Sequence, residues 1–465
     1  MSEQRYDAVI IGAGPAGIFA AIELIRSKPD MRILVLERGK PIDRRSCPAR
    51  QTSCVGCPTC AIMTGWGGAG AFSDGKLTLS TEVGGWLGDY IGTDGLERLI
   101  EDSDQLWLEF GATTSVHAPE PEVAERLMRE ATLAEMRLVP MRIRHIGSDR
   151  SPAVLQAMYD YLVSVGVEVR TGTMATRIVA EEDRVTAVEL GDGSTVRTDL
   201  VIAAPGRDGA DWLAEQARAL GIGLVSNAVD IGVRVEVPAP VMEPLTEHLY
   251  EAKLIQMSHR FGDQVRTFCM NPYGAVTTES YGDIVTVNGH SYAEQRTANT
   301  NFAVLVSQRF TEPFHEPITY GTSIARLANL LGEGILVQRL GDLRAGRRST
   351  AKRIAESVVT PTMPSATPGD LSFVLPYRHL VDILGFLDAM DTLAPGVAAD
   401  GTLLYGIEVK FYSSRLELDP TLQTHIRGLY AVGDGAGVTR GLVQSGASGL
   451  VAARAALGTE RVSPE

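Results

Sequence analysis

Three glycines and one acid carry the first chemical signal in the chain. Gly12, Gly14 and Gly17 form GAGPAG between the apolar run DAVII and the helical run IFAAIELIRS. A second apolar run, RILVLERG, ends on Glu37 and Arg38. Each part has a physical reason. Gly12 permits a tight turn, Gly14 lets the backbone approach a pyrophosphate, and Gly17 lets helix and strand pack closely. Pro15 and Ala16 open the helix, whose free N–H groups and dipole favour phosphate. Glu37 stands about 20 residues after Gly17, where a carboxylate meets ribose hydroxyls. A lone GxGxxG is weak evidence, but strand, glycines, helix, strand and acid in this order form the full dinucleotide fingerprint.

The matching half lies at the other end. GLYAVGDGAG reads as a strand ending in Gly433, Asp434, Gly435 and Gly437, and VTRGLVQSGASGLVAARAAL continues as a small-residue helix. Asp434 is expected to accept a hydrogen bond from a ribityl chain, and the helix start to face a flavin's pyrimidine edge. Alone, this piece is equally an ordinary strand–turn–helix with a capping Asp. Paired with the N-terminal fingerprint, it selects FAD over a free nicotinamide. Between the ends, residues 166–206 read as a three-stranded meander returning to the sheet. Ala175 is expected to pair its backbone with the adenine, and Gly206 lies in the small-residue turn AAPGRDG.

A third chemical signal is the spacing C-x6-C-x2-C-x2-C, made by Cys47, Cys54, Cys57 and Cys60. Four thiols in one loop admit an iron–sulfur cluster, a zinc ion, redox-active thiols or an inert surface loop. Next comes GWGGAGAFSDGK, too glycine-rich for regular structure. Gly68 and Gly70 would let its backbone lie flat against a cofactor, and Lys76 would stabilise a reduced flavin or else be solvated.

These motifs need elements to position them. The chain has 465 residues, 44% apolar, enough for two or three domains with large cores. Its 43 basic and 57 acidic residues give a net charge of −14, which disfavours nucleic acid and acidic membranes as partners. Nothing in MSEQRYDAVIIGAG resembles a signal peptide, so a cytoplasmic location is expected. The fold expected is α/β: a discontinuous Rossmann-like FAD-binding domain with a central parallel sheet, and an inserted α+β substrate domain. The FAD domain would take residues 1–90, 150–225 and 405–465, the substrate domain 226–404, and a helical connection 91–149. Within 226–310 six β-rich runs predict an antiparallel sheet carrying a substrate face. SIARLANLLG and HLVDILGFLDAM have helical spacing.

Candidate substrate contacts are His290, Asn299, Asn301, Arg347, Arg348, Lys410 and Arg440. His290 is a candidate proton donor because an imidazole is the side chain suited to proton transfer near neutral pH, though a lone histidine in a turn is more often a plain hydrogen-bonding residue. The GRRST run suits an anion or a solvated helix start. Lys410 either faces the flavin or buries its stem.

Together these segments resemble the glutathione-reductase-like FAD/NAD(P)-binding superfamily. More narrowly, the chain resembles a family of FAD-dependent dehydrogenases from bacteria and archaea whose substrates are unassigned. The resemblance rests on GGAGAFSDGKL, DIGVRVEVP, RTFCMNP, VNGHS, NTNFAVLV, GRRST, YGIEVKFYSSR and GDGAGVTRG, and spans nearly the whole chain. It departs from the family at Asn271, where a second cysteine is usual near Cys269. It implies an FAD fold without a settled substrate. The leading reading of the residues is an oxidoreductase exchanging a hydride or electrons between flavin N5 and a small molecule, anionic if GRRST binds it, with the cysteine cluster or transient NAD(P)H as relay. No second GxGxxG follows a strand, so a complete NAD(P) domain is not expected. Flavin monooxygenases, which carry GD-P where GDGAG stands here, and non-catalytic redox sensors are the alternatives.

Overall fold

The computed structural model describes residues 4–47, 57, 59–73, 75–147, 150–225, 227–281, 284–291, 296–308, 310, 314, 316–411 and 414–459. The chain forms two compact units. The first takes residues 1–116, 142–227 and 413–465, and the second takes 117–141 and 228–412.

The first unit is built on a five-stranded parallel sheet. Its order is Leu429–Ala431, Val201–Ala203, Ala8–Ile11, Ile33–Glu37, Glu168–Thr171. Register is fixed by Ile202 opposite both Ile10 and Tyr430, and by Val35 opposite Ile10 and Val169. AVII and ILVLE are buried along their whole length, as parallel strands covered on both faces must be. The helices Pro15–Ser27 and Leu442–Leu457 pack together through small residues. A Cβ on Gly449 would stand 2.1 Å from the Ala16 carbonyl oxygen, so this approach requires glycine. The expected meander is present as Ala175–Glu181, Arg184–Leu190 and Thr195–Arg197, with Gln4–Arg5 on its edge. The fold is therefore α/β with a Rossmann-like parallel sheet assembled from separated segments.

The second unit is built on an eight-stranded sheet. Its order is Thr367–Pro368, Leu336–Arg339, Leu403–Lys410, Val229–Pro238, Asn299–Gln308, Gln264–Asn271, Lys253–Met257, Arg137–Val139. The hairpin Ala275–Tyr281 and Ile284–His290 stands beside it as a separate ladder. The central strand alternates strictly. Ile231, Val233, Val235 and Val237 enter an apolar core with Phe302, Val304, Phe386 and Leu387. Asp230, Arg234 and Glu236 point the other way, because successive side chains leave a strand on opposite faces. The two expected helices are Pro317–Gly332 and Tyr377–Met390.

The units divide at places other than the sequence boundaries. Leu403–Lys410, from 405 onward expected with the FAD domain, pairs with the central strand of the second unit. Within the expected connection 91–149, residues 117–141 join the second unit, where Arg137–Val139 pairs with Lys253–Met257. Both are long-range pairings, and local periodicity carries no information about a strand's partner.

Candidate functional site

In the first unit the glycine loops meet at one end of the parallel sheet. Gly12 has φ +102°, and a Cβ there would lie 2.1 Å from the Ala204 carbonyl oxygen, so strand ends and turn are locked together. Gly14 precedes the helix Pro15–Ser27 in extended geometry, and no side chain caps that helix. A Cβ on Gly14 would meet nothing within 4 Å. The same holds at Gly441, which precedes the uncapped helix Leu442–Leu457. The helix after Gly14 thus presents free N–H groups beside open space, whereas at the other helix the Gly441 amide donates to the Asp434 carboxylate. Ala16 lies against Gly433, whose amide donates to Ser448 at 3.0 Å, so both chain ends build one cradle.

Glu37 is buried, and its carboxylate accepts from three backbone amides: Ala13 at 3.0 Å, Gly39 at 2.7 Å and Gly65 at 3.0 Å. It ties the first glycine loop to the second. Gly67 extends the tie by donating to the Ala13 carbonyl at 2.8 Å. Gly68 and Gly70 sit in the 3-10 turn Gly68–Phe72, with Gly68 facing Gly14 and Gly70 facing Leu442 and Pro15. Arg38 pairs with Asp208, which also accepts from Thr64 at 2.6 Å. Gly206 opens the turn holding Asp208, and a Cβ on Gly435 would lie 2.4 Å from the Gly206 carbonyl oxygen. Ala175 is buried at the start of its strand, opposite Leu190. Gly437 closes the turn that begins at Asp434. Burial pushes the Asp434 carboxyl above its ordinary range, against the opposing pull of Arg207 at 3.9 Å, Arg440 and a hydrogen bond from Thr439.

The sequence reading missed Arg45. Its buried guanidinium donates to the carbonyls of Ala61, Ile62 and Trp66 at 3.0, 2.8 and 2.6 Å, and stacks over Phe72. Burial lowers it to about 10, opposed by Glu37 and Cys60. This arginine holds the segment following the cysteines against the glycine loop. Cys47, Cys57 and Cys60 are unpaired thiols, and Cys54 lies outside the described residues. Among the described residues no group of three or more His, Cys, Asp or Glu is placed to hold a metal. Lys76 pairs across a short ladder with His145.

In the second unit the polar face of the sheet carries a buried charge network. Arg234 is fully buried and makes a bidentate pair with Glu408 at 2.7 and 2.8 Å. It also donates to Asn301 at 2.9 Å, the Cys269 carbonyl at 3.0 Å and Asn271 at 3.2 Å. Burial disfavours its charge, but Glu408 overrides this and raises its proton affinity. Lys410 reaches Glu279 at 3.0 Å and Glu408 at 3.4 Å. Asn299 donates to Glu236, which also accepts from Tyr405 at 2.6 Å and Thr362 at 2.5 Å. His290 lies exposed at the end of its strand. Arg347 and Ser349 of GRRST both donate to Asp342 at 2.8 Å. Burial raises that carboxyl, but these bonds and Arg353 outweigh it and hold it below its ordinary range. Asn271, where a cysteine is usual in the resembled family, is part of the Arg234 network and donates to Ser291. The signal for Arg234 was visible in DIGVRVEVP, where a charge recurs at alternate positions of an apolar strand. Its partner was not.

Of two family matches, one coincides with the second unit and the other runs across the boundary between the units. Residues 228–411 match the family described as FAD-dependent protein, C-terminal domain-like, and residues 122–237 match the one described as pyridine nucleotide-disulphide oxidoreductase. An uncharacterized protein of Clostridium beijerinckii is 26% identical over 472 residues, covering 95% of this chain and 79% of its own. Among solved structures, glycine oxidase from Geobacillus kaustophilus is similar at 14% identity and a TM-score of 0.40, covering 98% of this chain and 96% of its own. L-proline dehydrogenase from P. horikoshii is similar at 10% identity and a TM-score of 0.41, covering 99% and 95%. Cradle and family matches together give the chain the features of an FAD-dependent oxidoreductase. Among the described residues no helix is long and apolar enough to cross a membrane.

Proposed function

We propose that the protein is a dehydrogenase or reductase of the glutathione-reductase-like kind, acting on a small anionic molecule. One observation carries the reading. Two uncapped helix N-termini flank open space at Gly14 and Gly441 and are joined by contacts between the two chain ends. A dinucleotide fits such a cradle, because its pyrophosphate would satisfy the amides after Gly14 that no side chain caps, with the flavin half toward Gly441 and Asp434. Gly12, Gly14, Pro15, Ala16, Gly17, Gly68 and Gly70 would hold the phosphates. Glu37, Arg38, Ala175 and Gly206 would hold the adenosine half, and Gly433, Asp434, Gly435 and Gly437 the flavin half. When bound, FAD supplies hydride or single-electron transfer.

The chain's own residues supply binding, orientation and protons. The second unit would hold the substrate on its polar sheet face. Lys410, fixed by Glu279 and Glu408, would hold positive charge there, and Lys76 would do so in the first unit. His290 is exposed and would move a proton. The cysteine loop, held by Arg45, would serve as a thiol or metal relay, and NAD(P)H would dock transiently.

The test is to purify the protein, release and identify its chromophore, and titrate it anaerobically with dithionite, NADH and NADPH alongside iron and zinc analysis. A stoichiometric flavin that is reduced and then reoxidised by an added acceptor is expected. A protein that neither retains flavin nor takes up added FAD would overturn the reading.

A further inference from the structure

On the polar face of the large sheet not every charge has an opposite partner: Glu236 is held by the neutral donors Asn299, Tyr405 and Thr362. Asp230 pairs with Arg266, Glu408 with Arg234, and Glu279 with Lys410. Each acid in these pairs has its own cation. Lys253 is different. It is 5% exposed, and no hydrogen-bond acceptor or ion-pair partner lies on its ammonium group among the described residues. Ile255 stands opposite Arg266, so Lys253, two residues along the same strand, shares the face of Arg266 and Phe268.

Phe268 organises these cations. Lys253 lies 5.4 Å from its ring centroid, Arg266 5.2 Å and Lys410 5.9 Å. Arg266 and Lys410 also hold carboxylates, whereas Lys253 meets only the ring, which attracts charge less strongly than a carboxylate does. A buried cation without an anion is costly, so an ammonium at Lys253 gains by pairing with an arriving anion.

We propose that the cationic collar round Phe268, made by Lys253, Arg266 and Lys410, binds the carboxylate of a small organic acid, whose apolar part lies against the ring. Lys253 supplies the charge that the sheet leaves unmatched. This deepens, and rests on, the reading of the second unit as the substrate-binding part. One unmatched charge suits a monoanion, whereas a phosphate dianion would call for two. Burial, with Arg266 beside it, lowers Lys253 to about 7, opposed by Glu251, Cys269 and Asp230. Empty, the amine is therefore largely neutral at pH 8. An arriving carboxylate favours its charged form, so binding takes up a proton.

The experiment is calorimetric titration of the FAD-loaded protein with benzoate at pH 8, in two buffers of different ionisation heat. Benzamide, inorganic phosphate, Lys253→Met and Lys253→Arg serve as comparisons. Saturable benzoate binding with proton uptake is expected, weakened about tenfold or more in Lys253→Met and largely kept in Lys253→Arg. Benzamide and phosphate should bind far more weakly. Equal affinity in Lys253→Met, equal binding of benzamide, or no saturable benzoate binding would each overturn the proposal. Circular dichroism and flavin absorbance of each variant separate loss of the site from loss of the fold. A protein that takes up no FAD yet binds benzoate in this pattern would sink the oxidoreductase reading and leave the carboxylate site standing.

Discussion

The two units solve the problem of a polar interior in opposite ways. The cradle of the first is made almost entirely of backbone: glycine turns, two bare helix ends and one carboxylate, Glu37, bound to three amides. The polar face of the second is made of side chains: Arg234 on Glu408, Lys410 on Glu279, Tyr405 on Glu236. A backbone cradle tolerates an empty state, because free N–H groups at a helix end can be hydrated. A buried side-chain network does not, because each charge depends on a particular partner. The first unit should therefore respond to substitution mainly in ligand affinity, and the second mainly in stability.

The strongest way to break this contrast lies at Arg234. Arg234→Met leaves the fully buried Glu408 with only Lys410 at 3.4 Å, and a loss of about 3–5 kcal/mol is expected by denaturant melts. The double variant Arg234→Met/Glu408→Met should recover much of that loss, since it removes both charges. If the single variant melts like wild type, the network is not the anchor of the second unit.

A second test uses pH and a helix away from the charge network. His379 and Asp382 are buried on the helix Tyr377–Met390, and both ring nitrogens of His379 lack partners among the described residues. Burial lowers His379 from 6.5 to about 4, opposed by Asp263 and assisted by Arg378. Burial, then Asp263, raises Asp382 from 3.8 to about 6, against the hydrogen bond from Ser258 and the charge of Arg378. The signs oppose. His379 contributes stability above pH 6.5 that is lost as pH falls towards 4. Asp382 contributes stability below pH 3.8 that is lost as pH rises towards 6. Between pH 4 and 6 the two should largely cancel. Asp382→Asn should expose the histidine alone, with stability rising by roughly 3 kcal/mol from pH 4 to 6.5. His379→Phe should reverse the slope. Melts across this range that are parallel in all three proteins would refute the assignment.

The smallest stability effect, with the largest effect on ligand, is expected in the cradle. Gly14 is extended and faces open space, so Gly14→Asp should cap its helix and stabilise the flavin-free protein by about 1 kcal/mol. The same carboxylate would stand where a pyrophosphate belongs, and bound flavin should be lost from the purified protein. A variant that keeps its flavin would place the phosphates elsewhere. In the second unit the short helix Ala351–Ala355 is already capped, Thr350 accepting from the Arg353 amide, and Thr350→Ala should cost about 1 kcal/mol with flavin unchanged.

The two regions were also unequally legible. Gly12, Gly17 and Glu37 could be placed from sequence because each answers a local demand: a turn, a close approach, an acid at a set distance along one strand–helix–strand unit. That the turn at Gly433 belongs with the N-terminal helix followed from reading the C-terminal motif as the second half of the fingerprint. Alternation in DIGVRVEVP likewise announced a half-polar strand. By itself, then, the sequence determined the parallel sheet, the dinucleotide cradle and the existence of an antiparallel second unit. Only the tertiary structure decided that Leu403–Lys410 leaves the FAD domain, that Arg137–Val139 joins the far edge of the second sheet, and that Arg234 meets Glu408. It also decided that Arg45 secures the cysteine loop and that Lys253 is left without an anion. The physical reason is range: backbone demands are written within a few residues, whereas the partner of a buried charge is chosen by strand order, which no local pattern encodes.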